Sequence, residues 1–137
     1  MNQALIFAPV LAQISLTLMI FLLLGKRRAA DAKAGTVDLK RVALDNRGWS
    51  DSVIKVSNNL DNQFQTPVLF YMLCIVLVQF NAVSTLTLGL AWTFVFTRYS
   101  HAFVHVGSNY IPLRLPLFLL GVVSLLLMTG IAIAELI

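Results

Sequence analysis

A chain of 137 residues that is 58% hydrophobic and only 12% charged is not a soluble domain, which at this size carries about twice that charged fraction. Its mean hydropathy of +0.83 makes a bilayer the expected solvent and leaves room for one membrane domain over residues 1–137 and no second. The net charge of +4 does not point to nucleic acid, because eight of the ten Lys and Arg residues lie between Lys26 and Lys55, interspersed with Asp31, Asp38, Asp45 and Asp51. Basic residues crowded into one loop between apolar runs follow the positive-inside rule. No nucleic-acid partner is expected, and anionic lipid headgroups are a compatible secondary contact.

The first apolar run, Ala4 to Leu24, is interrupted only by Gln13 and a few hydroxyls. No basic side chain precedes it, and Lys26-Arg27-Arg28 follows it. That order suits a retained span rather than a cleaved signal. A span over about 4–26 is expected, its N-terminus outside, with a basic cytoplasmic loop over 27–50. The second run, Phe64 to Phe80, is short of the ~20 residues a span needs. It is preceded by a polar stretch, Lys55 to Gln65, without glycine or proline. One long helix over 51–80 is expected, N-capped at Ser50 or Asp51 and bent at Pro67 where it enters the membrane.

Asn81-Ala82-Val83-Ser84 reads as a short uncharged turn. A third span follows over 84–106, and Gly107-Ser108-Asn109 ends it. Pro112 suits the first turn of a fourth span over 112–135. All ten Lys and Arg then fall on one side, so both termini are expected outside the cytoplasm. The fold class is an all-α integral membrane protein, a four-transmembrane-helix bundle. Cys74, the single cysteine, has no partner for an intramolecular disulfide and is expected to pack in the core without a redox role.

Two polar stripes reach the basic end of this bundle. Asn58, Asn62 and Gln65 recur at i, i+4, i+7 on the second helix, with Lys55 and Asp61 nearby. Arg98, His101 and His105 recur at i, i+3, i+7 on the third, and so share one face. Arg114 lies one turn into the fourth. A charge at membrane depth costs from about 3 to more than 10 kcal/mol, so such groups face a bundle interior, a wet cavity or a ligand. Together they outline a cationic chamber suited to a small anion.

Blander readings stand beside that one. Asn and Gln in a membrane helix also tie helices together, Arg98 and Arg114 can snorkel to the interface, and Arg98 can pair with Asp61. The two imidazoles at i, i+4 suggest a metal. No neighbouring carboxylate or thiolate completes a ligand set at that depth, and two arginines repel a cation, so no metal is expected.

The run Asn58-Asn59-Leu60-Asp61-Asn62-Gln63-Phe64-Gln65-Thr66-Pro67-Val68-Leu69-Phe70-Tyr71, with Arg98-x-x-His101-x-x-x-His105 and Pro112-Leu113-Arg114, resembles the MAPEG family, the membrane-associated proteins in eicosanoid and glutathione metabolism, and its bacterial branch most. The resemblance implies a homotrimer in the bacterial inner membrane that binds glutathione as co-substrate between subunits near the cytoplasmic side. The family's glutathione-using enzymes carry Arg-x-x-x-Asn-x-x-Glu on the second helix. Aligned on the downstream proline, those positions are Asn58, Asn62 and Gln65 here, so Asn62 matches and two charged contacts are neutral. Arg98 and His101 match positions lining the tripeptide site in some members, and His105 falls where those often have Tyr. Arg114 matches the arginine assigned to the thiolate, while Leu115 and Phe118 replace Ser and Tyr of some enzymes.

The implied chemistry is a transferase or peroxidase. A free thiol has a pKa near ~8.5, and a guanidinium in a dry site lowers it, enriching the nucleophilic thiolate. A small lipophilic electrophile would arrive from the lipid. The alternative is a non-catalytic bundle, a scaffold or accessory subunit. A proton-coupled exporter fits poorly, because it wants a carboxylate within the membrane and the first span has none.

Overall fold

The computed structural model describes residues 1–137 as helices and turns. A 3-10 turn, Gln3–Ile6, leads into helix α1 (Phe7–Ala34). A short helix α2 (Leu39–Val42) and a second 3-10 turn (Asn46–Gly48) follow. Then come α3 (Asp51–Gln63), α4 (Thr66–Gln79), α5 (Thr85–Val106) and α6 (Ile111–Ala134). The α5–α6 pair forms the most extensive interface, and α1 packs on α3, α5 and α4. By length and hydropathy, two helices suffice to cross a membrane: α1 with its leading turn, and α6.

The structure departs from the sequence expectation at two boundaries. First, α1 does not stop near residue 26 but runs on to Ala34, so the connection proper is 35–50. Ala29, Ala30, Ala32 and Ala34 are strong helix formers, Lys33 suits a helix C-terminus, and Gly35 at φ 68° supplies the left-handed cap. Second, the helix expected over 51–80 is broken rather than bent. Gln65 leaves the helical region with φ −102° and ψ −104°. Pro67 has no N–H to offer the Gln63 carbonyl, and its ring would collide with that oxygen. The chain therefore resets before the proline, which falls in the first turn of α4. Ser50 does occupy the α3 N-cap position, yet its hydroxyl makes no capping bond; its N–H donates to Asp31 Oδ2 at 3.1 Å.

The turns follow local chemistry. Asn81 and Asn109, each at φ 55°, occupy the left-handed region after α4 and α5, which asparagine tolerates better than most residues. Ser84 and Thr87 form a reciprocal capping box at the start of α5. At its far end, Arg27 Nη1 donates to the Ser52 and Val106 carbonyls at 2.8 and 3.2 Å, and Lys55 Nζ donates to Gly107 O at 3.2 Å. The basic cluster thus also satisfies carbonyls at the C-terminus of α5, where cations are favourable.

Polarity is arranged inside out relative to a soluble protein. Leu22 is 76% exposed and Phe103 80%, whereas Arg98 is 1% exposed and is the largest fully buried side chain. The apolar core comes in two clusters. One gathers Ile6, Phe70, Val95 and Met128 with their neighbours, including Cys74, and stacks Phe70 on Phe94 with centroids 4.6 Å apart. The other gathers Leu16, Ile20, Val53, Val56 and Ala102. Along three helices a buried polar residue falls between the clusters: Gln13 on α1, Gln63 on α3 and Arg98 on α5.

Helices α5 and α6 approach closely at Gly121, where an added Cβ would stand 3.0 Å from Thr97 Oγ1 and 3.6 Å from Phe94 Cδ2. Thr97 Oγ1 is itself held by the Phe94 carbonyl at 2.7 Å. Gly121→Leu is expected to destabilise the protein by ~1–3 kcal/mol through overpacking. Gly130→Leu, where no atom lies within 4 Å, should leave stability unchanged. Thermal unfolding of the two variants in detergent checks this.

Candidate functional site

The α3/α4 break, the last turns of α5 and the first turns of α6 enclose a cavity of about 210 Å³. Its polar wall is Asn62, Gln65, His101 and Arg114; its apolar wall is Ile111, Leu115 and Phe118. Four of the seven residues singled out in the sequence therefore meet at one hollow. Gln65 enters the wall from the turning point of the break.

The other three take different places. Asn58 is exposed and does not reach the cavity. His105 is 4% exposed, and its Nδ1 meets the Asn59 and Asn62 side-chain amides at 3.2 and 3.4 Å. Arg98 donates from Nη2 to the Asn62 carbonyl at 3.3 Å, while its Nε and Nη1 are buried without partners. It does not pair with Asp61, which is exposed and lines a separate hollow. Arg98, His101 and His105 all turn inward, so none of them snorkels.

Sequence reasoning missed the residues that brace this site. Gln13 Nε2 donates to Gln63 Oε1 at 3.0 Å, and Gln63 Nε2 donates to Asn59 Oδ1 at 3.0 Å. Asn59 in turn reaches His105. This amide chain crosses from α1 through α3 to α5, and its direction places the acceptor lone pair at His105 Nδ1 and the ring proton at Nε2. The helix-tying role of Asn and Gln is thus carried by Asn59 and Gln63, one register position from the stripe read in the sequence. The signal was present: Val53, Val56, Leu60 and Gln63 are spaced as one helical face. Gln63→Leu removes both partners at once, leaving buried amide groups on Gln13 and Asn59. It should cost ~1–3 kcal/mol for each orphaned group, measured by unfolding in detergent.

Arg114 is half-buried, and its Nη1 bonds Asn109 Oδ1. Asn109 is set by the turn, where its own N–H donates to the Val104 carbonyl at 2.7 Å. His101 is 3% exposed, and its Nδ1 is buried without a partner. Its ring lies 5.5 Å edge-on from His105 and 6.0 Å from Phe118. No group of three His, Cys, Asp or Glu side chains comes together in the chain. The wall holds one guanidinium, Arg114, and one imidazole, His101, with no carboxylate, and a second guanidinium, Arg98, bonds the carbonyl of Asn62 in that wall. Such a set attracts a negatively charged ligand.

A helical bundle with an apolar exterior and a buried cationic hollow at one end is an integral-membrane design. The MAPEG family model matches residues 5–134, nearly the whole chain, and the chain belongs to that family. Comparison with curated proteins and with solved structures finds no match.

Proposed function

We propose that the protein is a membrane-embedded transferase or peroxidase that uses glutathione, or a similar anionic thiol, against lipophilic electrophiles. One observation carries the reading. His101 and Arg98 are almost wholly buried yet leave Nδ1, Nε and Nη1 unpartnered beside or behind the Arg114 hollow. Buried polar atoms without partners are uncommon and costly, and an anionic ligand would offset that cost.

In this reading Arg114 faces the ligand sulfur and holds it as thiolate. Asn62, Gln65 and His101 orient peptide and carboxylate groups, with Arg98 supplying positive charge from behind Asn62. In transfer, the thiolate pair forms a sulfur–carbon bond and the electrophile's leaving group departs with its own pair. In peroxide reduction the sulfur takes the distal oxygen, the alkoxide leaves and is protonated, and a second thiol closes a disulfide with loss of water. Leu115 and Phe118 bring no hydroxyl, which leaves the guanidinium as the group acting on sulfur.

The subunit proposed has four spans, with α3 and α4 acting together as the second. Both termini lie outside the cytoplasm of a bacterial inner-membrane protein. A cavity of about 210 Å³ falls below the ~300–1,000 Å³ of ordinary small-molecule sites. A neighbouring copy in a homotrimer would enlarge it. The scaffold reading has its own support in the neutral Asn58 and in the amide chain, which commits polar residues to holding helices together. Calorimetric titration of glutathione into detergent-purified protein tests the proposal: saturable heat at millimolar ligand or below is expected, and its absence would exclude the thiol reading.

A further inference from the structure

The widest hollow in the molecule lies elsewhere, between the α1–α3 connection and α3, with a volume of about 700 Å³. Its wall contains one guanidinium, Arg28, and one carboxylate, Asp61, together with Asn46 and Trp49. Arg28 is fixed in place. Its guanidinium carbon lies 5.4 Å from the Trp49 ring centroid, and Nη2 donates to Asn46 Oδ1 at 3.4 Å. Its Nε is buried with no partner. Asp61 is exposed and makes no ion pair, the chain's only one being Arg47–Asp45 at 3.7 Å. Leu39 and Leu44 also line it, with Val42, Ala43 and Ser57, and are 59% and 94% exposed.

Two features place this hollow at the membrane surface. Arg28 lies one turn beyond Leu24, where the apolar run of α1 ends. Leucines this exposed on a basic connection are suited to the boundary between headgroups and acyl chains rather than to open water. The separated charges then define what fits. A guanidinium alone would accept any phosphate; an unpaired carboxylate in the same wall repels a purely anionic headgroup and attracts an ammonium.

We propose that this hollow binds a phospholipid whose headgroup carries both a phosphate and a primary ammonium. The phosphate lies toward Arg28, the ammonium toward Asp61, and the glycerol and first acyl carbons against Leu39 and Leu44. A quaternary ammonium has no N–H to donate to Asp61, so choline lipids bind less well. Selection by attraction at one charge and repulsion at the other is how such sites discriminate. The inference needs α1 to cross the membrane and is independent of the thiol reading.

Native mass spectrometry of the detergent-solubilised protein tests it, titrated with phosphatidylethanolamine, phosphatidylglycerol or phosphatidylcholine of identical acyl chains. The wild type should retain phosphatidylethanolamine about tenfold better than either other lipid, the scale of one lost charge-assisted hydrogen bond. Asp61→Asn, a surface change, should abolish that preference and raise phosphatidylglycerol retention. Arg28→Gln should weaken retention of both phosphatidylethanolamine and phosphatidylglycerol. Soluble O-phosphoethanolamine should bind at least about tenfold more weakly than the whole lipid, for want of the leucine contacts. Equal retention of the three lipids by the wild type, unchanged selectivity in D61N, or equal binding of the soluble headgroup would overturn the proposal. Glutathione titrated into D61N should bind as in the wild type, which separates this test from that of the thiol site.

Discussion

Replacing Arg114 by alanine is expected to lower kcat/KM for thiol conjugation by ~10²–10³-fold, the usual effect of removing one preorganised donor from a developing or resident anion. The side chain is half-buried and bonds only Asn109, so its loss should leave folding intact. The sign of the pH dependence follows from the same charge. A guanidinium stabilises thiolate over thiol and so holds the bound sulfur's pKa below ~8.5. Without it that pKa rises, and the rate of R114A should climb at higher pH than the wild type, with partial recovery in alkaline buffer. Thiolate absorbance of the bound ligand measured against pH checks this directly. A variant with unchanged turnover and an unchanged profile would remove Arg114 from the chemistry; no turnover in either protein, with glutathione bound to neither, would favour the scaffold.

Arg98→Met is expected to have opposite effects on stability and on binding. The wild-type guanidinium is 1% exposed with a single hydrogen bond, to a backbone carbonyl, and two orphaned donors. Burying a charge without a counter-ion costs several kcal/mol, so an apolar chain of similar length should stabilise the ligand-free protein by ~1–4 kcal/mol. The Asn62 carbonyl is not stranded by the change, because it also accepts from the Gln65 N–H at 3.4 Å. The same variant should lose the stabilisation that saturating glutathione confers on the wild type, which is ~2.7 kcal/mol at a hundredfold excess over Kd. Unfolding measured with and without ligand gives both quantities. If R98M is instead less stable without ligand, Arg98 is a structural tie and the buried charge is not there for an anion.

Much of the candidate site was legible because a charge set in a long apolar run is costly unless it is turned away from apolar surroundings. Arg98, His101 and His105 at i, i+3, i+7 had to share a face, and the apolar surroundings required that face to turn inward. Arg114 near the start of α6 had to lie at the same end as the close of α5, since the turn between them is short. Asn58 and Gln65 were less determined. On an isolated helix both belong to the Asn62 stripe, and one register step separates that stripe from Asn59 and Gln63. Which of two adjacent polar rows is buried depends on how α3 is rolled against α1 and α5.

Boundaries carried the remaining error, for physical reasons visible in the residues. The alanines between Lys26 and Ala34 favour helix, and their charged neighbours gave no cause to stop it before Gly35. Pro67 announced a disturbance but not its form. A bend and a break both relieve the clash with the Gln63 carbonyl, and here the chain resets at Gln65, which then lines the cavity.

By itself the sequence determined that the chain is helical, that its exterior is apolar, that its basic residues gather at one end, and that it is a MAPEG relative. These follow from composition, from the period of the helix and from the order of short motifs, none of which needs a partner helix. Only the tertiary structure decided that Gln13, Gln63, Asn59 and His105 form one buried chain, that Arg98 has no acid beside it, and that Arg28 and Asp61 face a common hollow. Most of those relations join residues dozens of positions apart, and hydrogen bonds and charge placement across helices are set by packing, which no local pattern encodes.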